Sequence, residues 1–537
     1  MFSSDRELGS VFSAAVCLTF LLGCTPTPEP PRNLIPSAHG TSPNYWCTWY
    51  AQNYWIGRGE DITDLSRLSN ENAREELNEH TVFDPQEGWA VTLLPRSRGD
   101  YYFLIDHGWQ IKDDSKREYG LPFFSLQIDP EDFPRYAGMS QPDALRKFNE
   151  DIRALGWRGL GIWVRGDVSE ADAERFVGWS KQAAIKYWKI DGGDTTSFYC
   201  ERAKQKLYPE LTLEYVTGSK GPLNPDWEKP GLPSYPSVYA GEFRERMLRV
   251  IAHSDTFRTY DATPLLVTST TLQRTHDILR QTQGQPQYRA LLNLQDDVNA
   301  AAALGCLAAV KRHPNYGERT YKGQDIHYQI RGKRMIQKRM DEAERFAIWQ
   351  RIAPAFPAGE GSYLASETEL IDSYPYAPGD TWMEASWGKT VYQSAPAVMA
   401  RNMPLPQVEI EGDPPFVMAS RFPGGAVAVA TEGRVKPADG WYHPRARVTL
   451  DLTGFDGPVG VFGHYQTLAL RFPEPLPADA RIWAQDLLAA QATDVTSRVH
   501  IDGLSLDIPG ELIDEIGTSA ASPGDISAPG LVLSIQR

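Results

Sequence analysis

Residues 144–191 read ALRKFNEDIRALGWRGLGIWVRGDVSEADAERFVGWSKQAAIKYWKID and contain two successive helix–strand units. In the first unit, apolar residues recur at helical spacing and predict a helix that ends at Gly156; they are Leu145, Phe148, Ile152 and Leu155. The apolar run 159–164 then predicts a buried strand. A second helix over 171–184 and a second strand over 185–190 follow. Repeated units of this length indicate a parallel sheet with helical crossovers.

This alternation extends over residues 43–390, a length that suits an α/β fold of the (β/α)8 TIM barrel type with inserted loops. A doubly wound sheet is the alternative, although neither a GxGxxG motif nor a P-loop follows any predicted strand. From 391 to 537, Gly, Pro and alternating apolar residues dominate, as in Gly425–Ala430 and Val448–Leu452. This pattern predicts a C-terminal antiparallel β-sandwich domain.

The composition is that of a globular protein, with 41% hydrophobic and 23% charged residues. The net charge of −15 argues against nucleic acid as a partner, because phosphate backbones require a basic surface. It is compatible with a neutral glycan, and the 11% aromatic content suits stacking on sugars as well as an aromatic core. Cys47, Cys200 and Cys306 permit at most one disulfide, and their spacing matches no zinc motif.

The N-terminus has the features of an export signal. Residues 11–22 form an apolar run that is too short to span a bilayer but suits a signal peptide, and Leu21-Leu22-Gly23-Cys24 resembles a lipobox. The sequence therefore predicts a lipoprotein signal peptide over 1–24, a Pro-rich tether over 25–42, and lipid anchoring of Cys24 at the outer membrane, cell surface or periplasm. Because the first residues are not clearly basic, cleaved secretion without a lipid and an uncleaved anchor remain alternatives.

Acidic residues follow several predicted strands, at the barrel end that carries active sites. They are Asp106 (followed by His107 and Trp109), Asp191, Asp194, Glu214 and Asp261. Hydrolysis of a glycosidic bond uses two carboxyl groups. Lys189 lies two residues before Asp191 on one strand, so both side chains point to the same side, and the cation would keep Asp191 ionised. This favours Asp191 over Asp194 as a nucleophile, although such aspartates also commonly cap helices.

Four segments, in this order, resemble the α-galactosidase clan of retaining glycoside hydrolases, clan D, with families 27 and 36. Leu104–Trp109 resembles the DDGW segment of that clan, and Tyr187–Asp191 resembles its K-x-D nucleophile strand. Phe257–Asp261 resembles the R-T-x-x-D region that carries the acid/base. Met340–Trp349, followed by Ile352–Pro357, resembles the seventh helix running into the last barrel strand.

The resemblance implies an exported retaining exo-α-glycosidase that cleaves terminal α-linked sugars from an oligosaccharide or polysaccharide, without cofactor or metal. Asp191 would be the nucleophile, and Asp261 the acid/base. Asp106 and Lys189 would bind sugar hydroxyls, Arg258 would bind a hydroxyl near the acid/base, and Trp46 or Trp49 would stack on the sugar. The full set of implied substrate-binding residues is Trp46, Trp49, Asp106, His107, Trp109, Lys189, Glu214, Arg258 and Asp297.

Three departures from the clan leave alternatives open. His107 replaces the second Asp of DDGW, which weakens an assignment to galactose. The spacing from Arg258 to Asp261 is one residue short, so Asp255 is a rival acid/base. The pair Asp296-Asp297 either lines the pocket or caps a predicted helix over 298–310. The alternative functions are a barrel glycosidase acting on another sugar, such as an α-glucoside or an arabinose-type linkage, and a non-catalytic glycan-binding or adhesive surface lipoprotein.

Overall fold

The computed structural model describes residues 32–536 except 65–66, 68, 123, 194, 217–241, 260–267, 315–319, 322–323, 326–338, 369, 376–389, 437–439 and 455–456. The predicted signal peptide with Cys24, the start of the tether, Asp194 and Asp261 therefore lie outside the described residues. Asn33–Arg537 forms one compact unit. Within the part of the chain that is described, no helix has both the length and the apolar character needed to cross a membrane.

Eight parallel strands form the barrel. They are β1 (Asn44–Cys47), β2 (Tyr101–Ile105), β3 (Gly159–Arg165), β4 (Tyr187–Asp191), β5 (Thr212–Val216), β6 (Thr256–Arg258), β7 (Leu291–Asn293) and β8 (Ala309–Val310). Each of the first six pairs with the next in chain order, and β8 pairs with β1. A parallel bridge between Asn293 and Leu307 closes the ring. The predicted (β/α)8 barrel is confirmed, and a doubly wound sheet is excluded.

The helices surround this barrel. They are α1 (Trp49–Trp55), α2 (Asn70–Glu75), α3 (Glu79–Phe83), α4 (Trp89–Thr92), α5 (Gln141–Ala154), α6 (Glu170–Gln182), α7 (Tyr199–Leu207), α8 (Glu242–Ala252), α9 (Thr268–Thr282), α10 (Val298–Leu304) and α11 (Met340–Ile352). The two predicted from residues 144–191 are α5 and α6. Ser140 and Ser169 cap them by accepting hydrogen bonds from backbone N–H groups of the first turn.

Two predictions near the end of the barrel are wrong. The helix expected over 298–310 stops at Leu304, because Gly305 adopts a left-handed conformation (φ +63°) and a Cβ there would lie 2.0 Å from the ring of Phe356. The chain then enters β8, which is the eighth strand. Residues 352–357, expected to be the last barrel strand, contain no strand, and α11 therefore follows the closed barrel.

The C-terminal domain consists mainly of two sheets. Two short strands precede it, β9 (Thr320–Tyr321) and β10 (Gln324–Asp325). The strands of the domain are β11 (Tyr363–Ala365), β12 (Leu370–Pro375), β13 (Thr390–Ala395), β14 (Val398–Arg401), β15 (Gln407–Glu409), β16 (Phe416–Arg421), β17 (Val427–Glu432), β18 (Arg434–Lys436), β19 (Gly440–Tyr442), β20 (Arg447–Asp451), β21 (Val459–Phe462), β22 (Thr467–Arg471), β23 (Arg481–Asp486), β24 (Thr493–Asp494), β25 (His500–Asp502), β26 (Ser505–Pro509) and β27 (Gly530–Gln536). Its helix α12 spans Gly510–Gly517.

One sheet has the order β11-β14-β16-β17-β21-β27-β23-β24 and the other β15-β20-β22-β26-β25. Strands from both sheets enclose a second apolar core. The sheets are mixed and not wholly antiparallel as expected, since β14–β16, β17–β21 and β20–β22 pair in parallel. The first and third of these pairs arise because the intervening strand crosses to the opposite sheet, so the next strand returns in the original direction.

Helix α11 joins the barrel to this domain. Trp349 packs so closely on β21 that a Cβ at Gly460 would lie 2.9 Å from its indole ring. Arg345 makes a two-pronged ion pair with Asp486, at 2.9 and 3.0 Å, and both side chains are buried. The barrel and the C-terminal sheets are therefore held together by an apolar and charged contact that excludes water.

Candidate active site at the carboxyl end of the barrel

Lys189 connects two carboxylates at the carboxyl ends of β2 and β4. Its ammonium Nζ lies 2.7 Å from Oδ2 of Asp106 and 3.0 Å from Oδ2 of Asp191. Alternation along β4 directs Lys189 and Asp191 to the same side, as predicted. The side chains of Asp106 and Lys189 are 3% and 2% exposed, whereas that of Asp191 is 20% exposed. The structure thus brings these three predicted site residues together, and Asp191 is the carboxylate that solvent reaches.

The charges in this cluster determine the protonation states. Burial acts to raise the pKa of Asp106, but the Lys189 ammonium outweighs it and lowers that pKa to about 2. Burial also opposes ionisation of Asp191, yet Lys189 and then Arg258 hold its pKa below the ordinary value. Burial acts to lower the pKa of Lys189, and the two aspartates raise it above its usual range. Asp191 is therefore an anion and Lys189 a cation at neutral pH.

The two oxygens of Asp191 differ in their surroundings. Lys189 contacts Oδ2, and the indole Nε1–H of Trp163, the fifth residue of β3, donates to the same oxygen at 3.4 Å. Among the described residues, none donates a hydrogen bond to Oδ1. One oxygen is thus held by two donors while the other has its lone pairs available, which is the arrangement that a nucleophilic carboxylate requires.

Aromatic rings line one side of the cluster. The imidazole of His107 stacks on Trp163 with a centroid distance of 4.7 Å and an interplanar angle of 11°, and Trp49 lies beyond it at 6.4 Å and 16°. Phe124 meets His107 edge-on at 4.3 Å. The Nε–H of Arg74 donates to Nδ1 of His107 at 3.2 Å, which places the imidazole proton on Nε2. Burial, and then the charge of Arg74, lower the pKa of His107 to about 3, so the ring is neutral.

Glu214 and Arg258 lie deeper, at the centre of the barrel, and neither side chain is exposed to solvent. Glu214 accepts hydrogen bonds from four side chains on β1, β4, β6 and β7, namely Tyr45, Tyr187, Arg258 and Asn293. Arg258 also donates from Nη2 to the Tyr45 hydroxyl at 2.9 Å. The structure therefore places Glu214 in the internal packing of the barrel, below the cluster that contains Asp191.

Two of the predicted sugar-binding tryptophans lie in the core. Trp46 has no exposed surface, donates from Nε1 to the carbonyl of Arg312 and stacks on Phe103. Trp109 is equally buried within the barrel core. Strand alternation explains Trp46, because its neighbour Tyr45 points into the barrel and Trp46 must point outward. Trp49, which is 7% exposed, is the tryptophan of this group that borders the site.

The remaining acidic candidates differ in their positions in the barrel and in their partners. Asp255 immediately precedes β6, at the amino end of the barrel, where it pairs with Lys204 and accepts the backbone N–H of Leu213 at 2.7 Å. Asp255 therefore lies at the opposite end of the barrel from Asp191 and is not positioned to serve as the acid/base. Asp296 makes a buried ion pair with Arg312. Asp297 occupies the N-cap position of α10 but makes no capping hydrogen bond.

The Asp297 carboxylate instead accepts a hydrogen bond, at 3.0 Å, from the hydroxyl of Thr268, which is the first residue of α9. The capping alternative for the Asp296-Asp297 pair thus does not describe Asp297, which bridges the starts of α9 and α10. Asp261, the predicted acid/base, lies outside the described residues, as does Asp194.

Sequence reasoning missed two residues at this end of the barrel. The apolar run 159–164 that predicts a strand contains Trp163, and alternation places this residue on the same face as Gly159 and Gly161, inside the barrel. Lys311 directly follows β8; it is fully buried, its Nζ lies 3.2 Å from Oε1 of Gln295 and 4.6 Å from the ring centroid of Tyr50. Burial, and then the Arg258 cation, lower the pKa of Lys311 to about 7.

The described residues contain no group of three or more His, Cys, Asp or Glu side chains arranged to hold a metal ion. Cys47, Cys200 and Cys306 are buried free thiols. Cys47 ends β1 beneath the cluster, and its Sγ contacts Oδ2 of Asp106 at 3.1 Å. Burial, and then the charge of Asp106, raise the pKa of Cys47 to about 12, so it is a neutral thiol that serves as one more donor to the buried carboxylate.

Comparison with known proteins adds little. No protein-family model matches this sequence, and no curated protein matches it. Among solved structures, the catalytic domain of GH30 xylanase C from Talaromyces cellulolyticus is similar over 94% of this chain and 99% of its own, with 9% identity and a TM-score of 0.27. A likeness this weak carries no argument about the function of this chain.

Proposed function

We propose that this protein is a retaining glycoside hydrolase in which Asp191 attacks the anomeric carbon and Asp261 serves as acid/base. The observation that carries the proposal is the environment of Asp191. Its carboxylate is ionised and partly exposed, Lys189 and Trp163 contact its Oδ2, and none of the described residues donates a hydrogen bond to its Oδ1; it lies at the barrel end where catalytic groups collect.

The reaction proceeds in two displacements. Asp191 Oδ1 bonds to the anomeric carbon while an acid protonates the departing glycosidic oxygen, and a water activated by the same group then releases the sugar. Asp261 is proposed for the second role because it follows β6 by three residues, whereas Asp255 belongs to the other end of the barrel. The resemblance to clan D supports an exo-acting enzyme for a terminal α-linked sugar, and the lipobox-like segment Leu21-Leu22-Gly23-Cys24 supports export and lipid anchoring through Cys24.

The test is hydrolysis of a panel of p-nitrophenyl α- and β-glycosides by residues 25–537. Wild type should release nitrophenol from one α-glycoside, and NMR of the first product should show the α-anomer. Asp191→Ala and Asp261→Asn should lose activity, and added azide should restore turnover of Asp191→Ala with formation of the β-glycosyl azide. Full activity in Asp191→Ala, or a first product of inverted configuration, would overturn the proposed mechanism.

The proposed lipid anchor needs its own experiment. The full chain and a Cys24→Ser variant would be expressed in a Gram-negative host that is fed a radiolabelled fatty acid, and the cells fractionated. The wild-type chain should carry the label and sediment with membranes, whereas Cys24→Ser should carry none. Equal labelling of both chains would refute lipidation at Cys24, and an unlabelled soluble wild-type chain would favour secretion without a lipid.

A further inference from the structure

Trp163 is not among the site residues predicted from the sequence, yet it contacts the proposed nucleophile. It lies on β3, in register with Lys189 on β4, so the two donors to Oδ2 of Asp191 stand side by side on neighbouring strands. Its indole is 6% exposed. One face is covered by the parallel imidazole of His107, and Phe124 meets the ring edge-on at 5.5 Å. A ring covered in this way is a poor platform for a sugar, and its N–H group is what it offers to the site.

The surroundings of Trp163 fix its orientation. His107 is itself held by Arg74, which donates to Nδ1, and by the amide of Gln52, which donates to the backbone carbonyl of His107 at 2.9 Å. Because burial, and then the charge of Arg74, keep the imidazole neutral, the stack adds no cation to Lys189 and Arg258, which already act on Asp191. A further cation would stabilise the carboxylate more and make it a weaker nucleophile.

We infer that Trp163, held by the stack on His107, is a positioning residue that fixes Oδ2 of Asp191 and thereby presents Oδ1 to the anomeric carbon. The inference rests on the proposed function, because it assigns a role within the same displacement. Without Trp163, Lys189 would contact Oδ2 from one direction and would leave the carboxylate free to rotate about its bond to Cβ. A second donor from the neighbouring strand removes this freedom, which is the kind of orientation that accelerates attack.

The variant Trp163→Phe tests this inference, because it keeps an aromatic ring to stack on His107 and removes the N–H group together with part of the indole. We expect kcat to fall about tenfold with KM changed less than twofold. The acid limb of the kcat/KM profile should move up by about one pH unit, because a hydrogen bond to the ionised carboxylate is lost.

The matched control is Trp188→Phe. Trp188 is buried on the same strand as Asp191 but faces outward, where its Nε1–H donates to the hydroxyl of Ser180 at 3.0 Å. This substitution also removes one indole hydrogen bond from the core, and it should leave kcat and the acid limb unchanged. Equal losses in both variants would mean that the effect of Trp163→Phe is general destabilisation, and would overturn the inference.

A readout that does not need turnover separates this inference from the proposed function. The carboxyl carbon of Asp191 can be followed by NMR with labelled aspartate, assigned by its disappearance in Asp191→Ala. In Trp163→Phe this resonance should titrate at higher pH than in wild type, whether or not a substrate is found. An unchanged titration, or a rise in KM with constant kcat, would overturn the positioning role, whereas an inactive wild type would refute only the proposed enzyme.

Discussion

The ammonium of Lys189 lies 2.7 Å from Oδ2 of Asp106, and neither side chain is more than 3% exposed. Asp106 is therefore the buried partner that holds Lys189 in place, and Asp191 above it is the partner that solvent reaches. One cation serves two carboxylates with different tasks, since Asp106 accepts further hydrogen bonds, at Oδ2 from Cys47 and at Oδ1 from the backbone N–H of His107. Both oxygens of Asp106 are thus buried and hydrogen-bonded, whereas Oδ1 of Asp191 accepts no hydrogen bond from the described residues.

Removing the cation should affect stability and activity separately. Lys189→Met leaves Asp106 as an unpaired buried charge, and we expect the free energy of unfolding to fall by about 3–5 kcal/mol in urea titrations. The double variant Lys189→Met/Asp106→Asn no longer has a charge at the fully buried position 106 and should recover most of this stability. It should nevertheless remain inactive on the glycoside that wild type cleaves, because Asp191 has lost its counter-ion. A stable, fully active Lys189→Met would contradict this account of the cluster.

The same pair predicts how acid unfolds the protein. The pKa of Asp106 is about 2 in the folded state, against about 3.9 in an unfolded chain. Since the folded-state pKa is depressed, this group contributes stability above pH 4 and loses the contribution as the pH falls from about 4 to 2. Urea unfolding at pH 5, 3.5 and 2.5 should show a shallower decline in the Lys189→Met/Asp106→Asn variant than in wild type. Parallel declines would show that the pair does not govern acid stability.

The position of Asp255 predicts a clear difference between two aspartates near β6. Asp255→Asn removes a charge partner of Lys204 at the amino end of the barrel, so kcat/KM should stay within about twofold of wild type while the free energy of unfolding falls by roughly 1 kcal/mol. Asp261→Asn should instead abolish turnover and leave stability nearly unchanged. Loss of activity in Asp255→Asn at full stability would return that residue to consideration as the acid/base.

The local features of the site were predictable, and those that depend on strand register were not. Alternation along β4 was enough to place Lys189 and Asp191 on one face. That Asp106 meets the same ammonium depends on the relative register of β2, β3 and β4, which arises only when the barrel forms. The outward direction of Trp46 follows from alternation and could have been predicted, whereas the end of the barrel on which Asp255 lies depends on where β6 begins.

The sequence does not predict the eighth barrel strand, β8, for a physical reason. Residues 298–310 are rich in alanine, which favours helix. The short strand β8 is formed because β1 and the segment around Leu307 have to complete the ring, and Gly305 allows the turn that leads into it. Because β8 has two residues and carries no strand-forming pattern of its own, Lys311 behind it could not be recognised as a residue of the barrel mouth.

Lys311 provides the last prediction. Its folded-state pKa of about 7 lies below the value of about 10.4 for an exposed lysine, so between these values the unfolded chain binds more protons than the folded protein. The contribution of Lys311 to stability therefore rises with pH, by about 1.4 kcal/mol per unit between pH 7 and 10.

Below pH 7 the charged ammonium has to stay buried near the cations Arg258 and Lys189, with the Asp106 carboxylate and the Cys47 thiol also facing it. Lys311→Met should then be more stable than wild type at pH 6, and in urea titrations the difference should shrink by about 1.4 kcal/mol per unit between pH 7 and 9. Lys186→Met, which removes an exposed lysine paired with Glu210, should show a small difference that does not vary with pH in this range. A constant difference for Lys311→Met would mean that its ammonium stays protonated throughout.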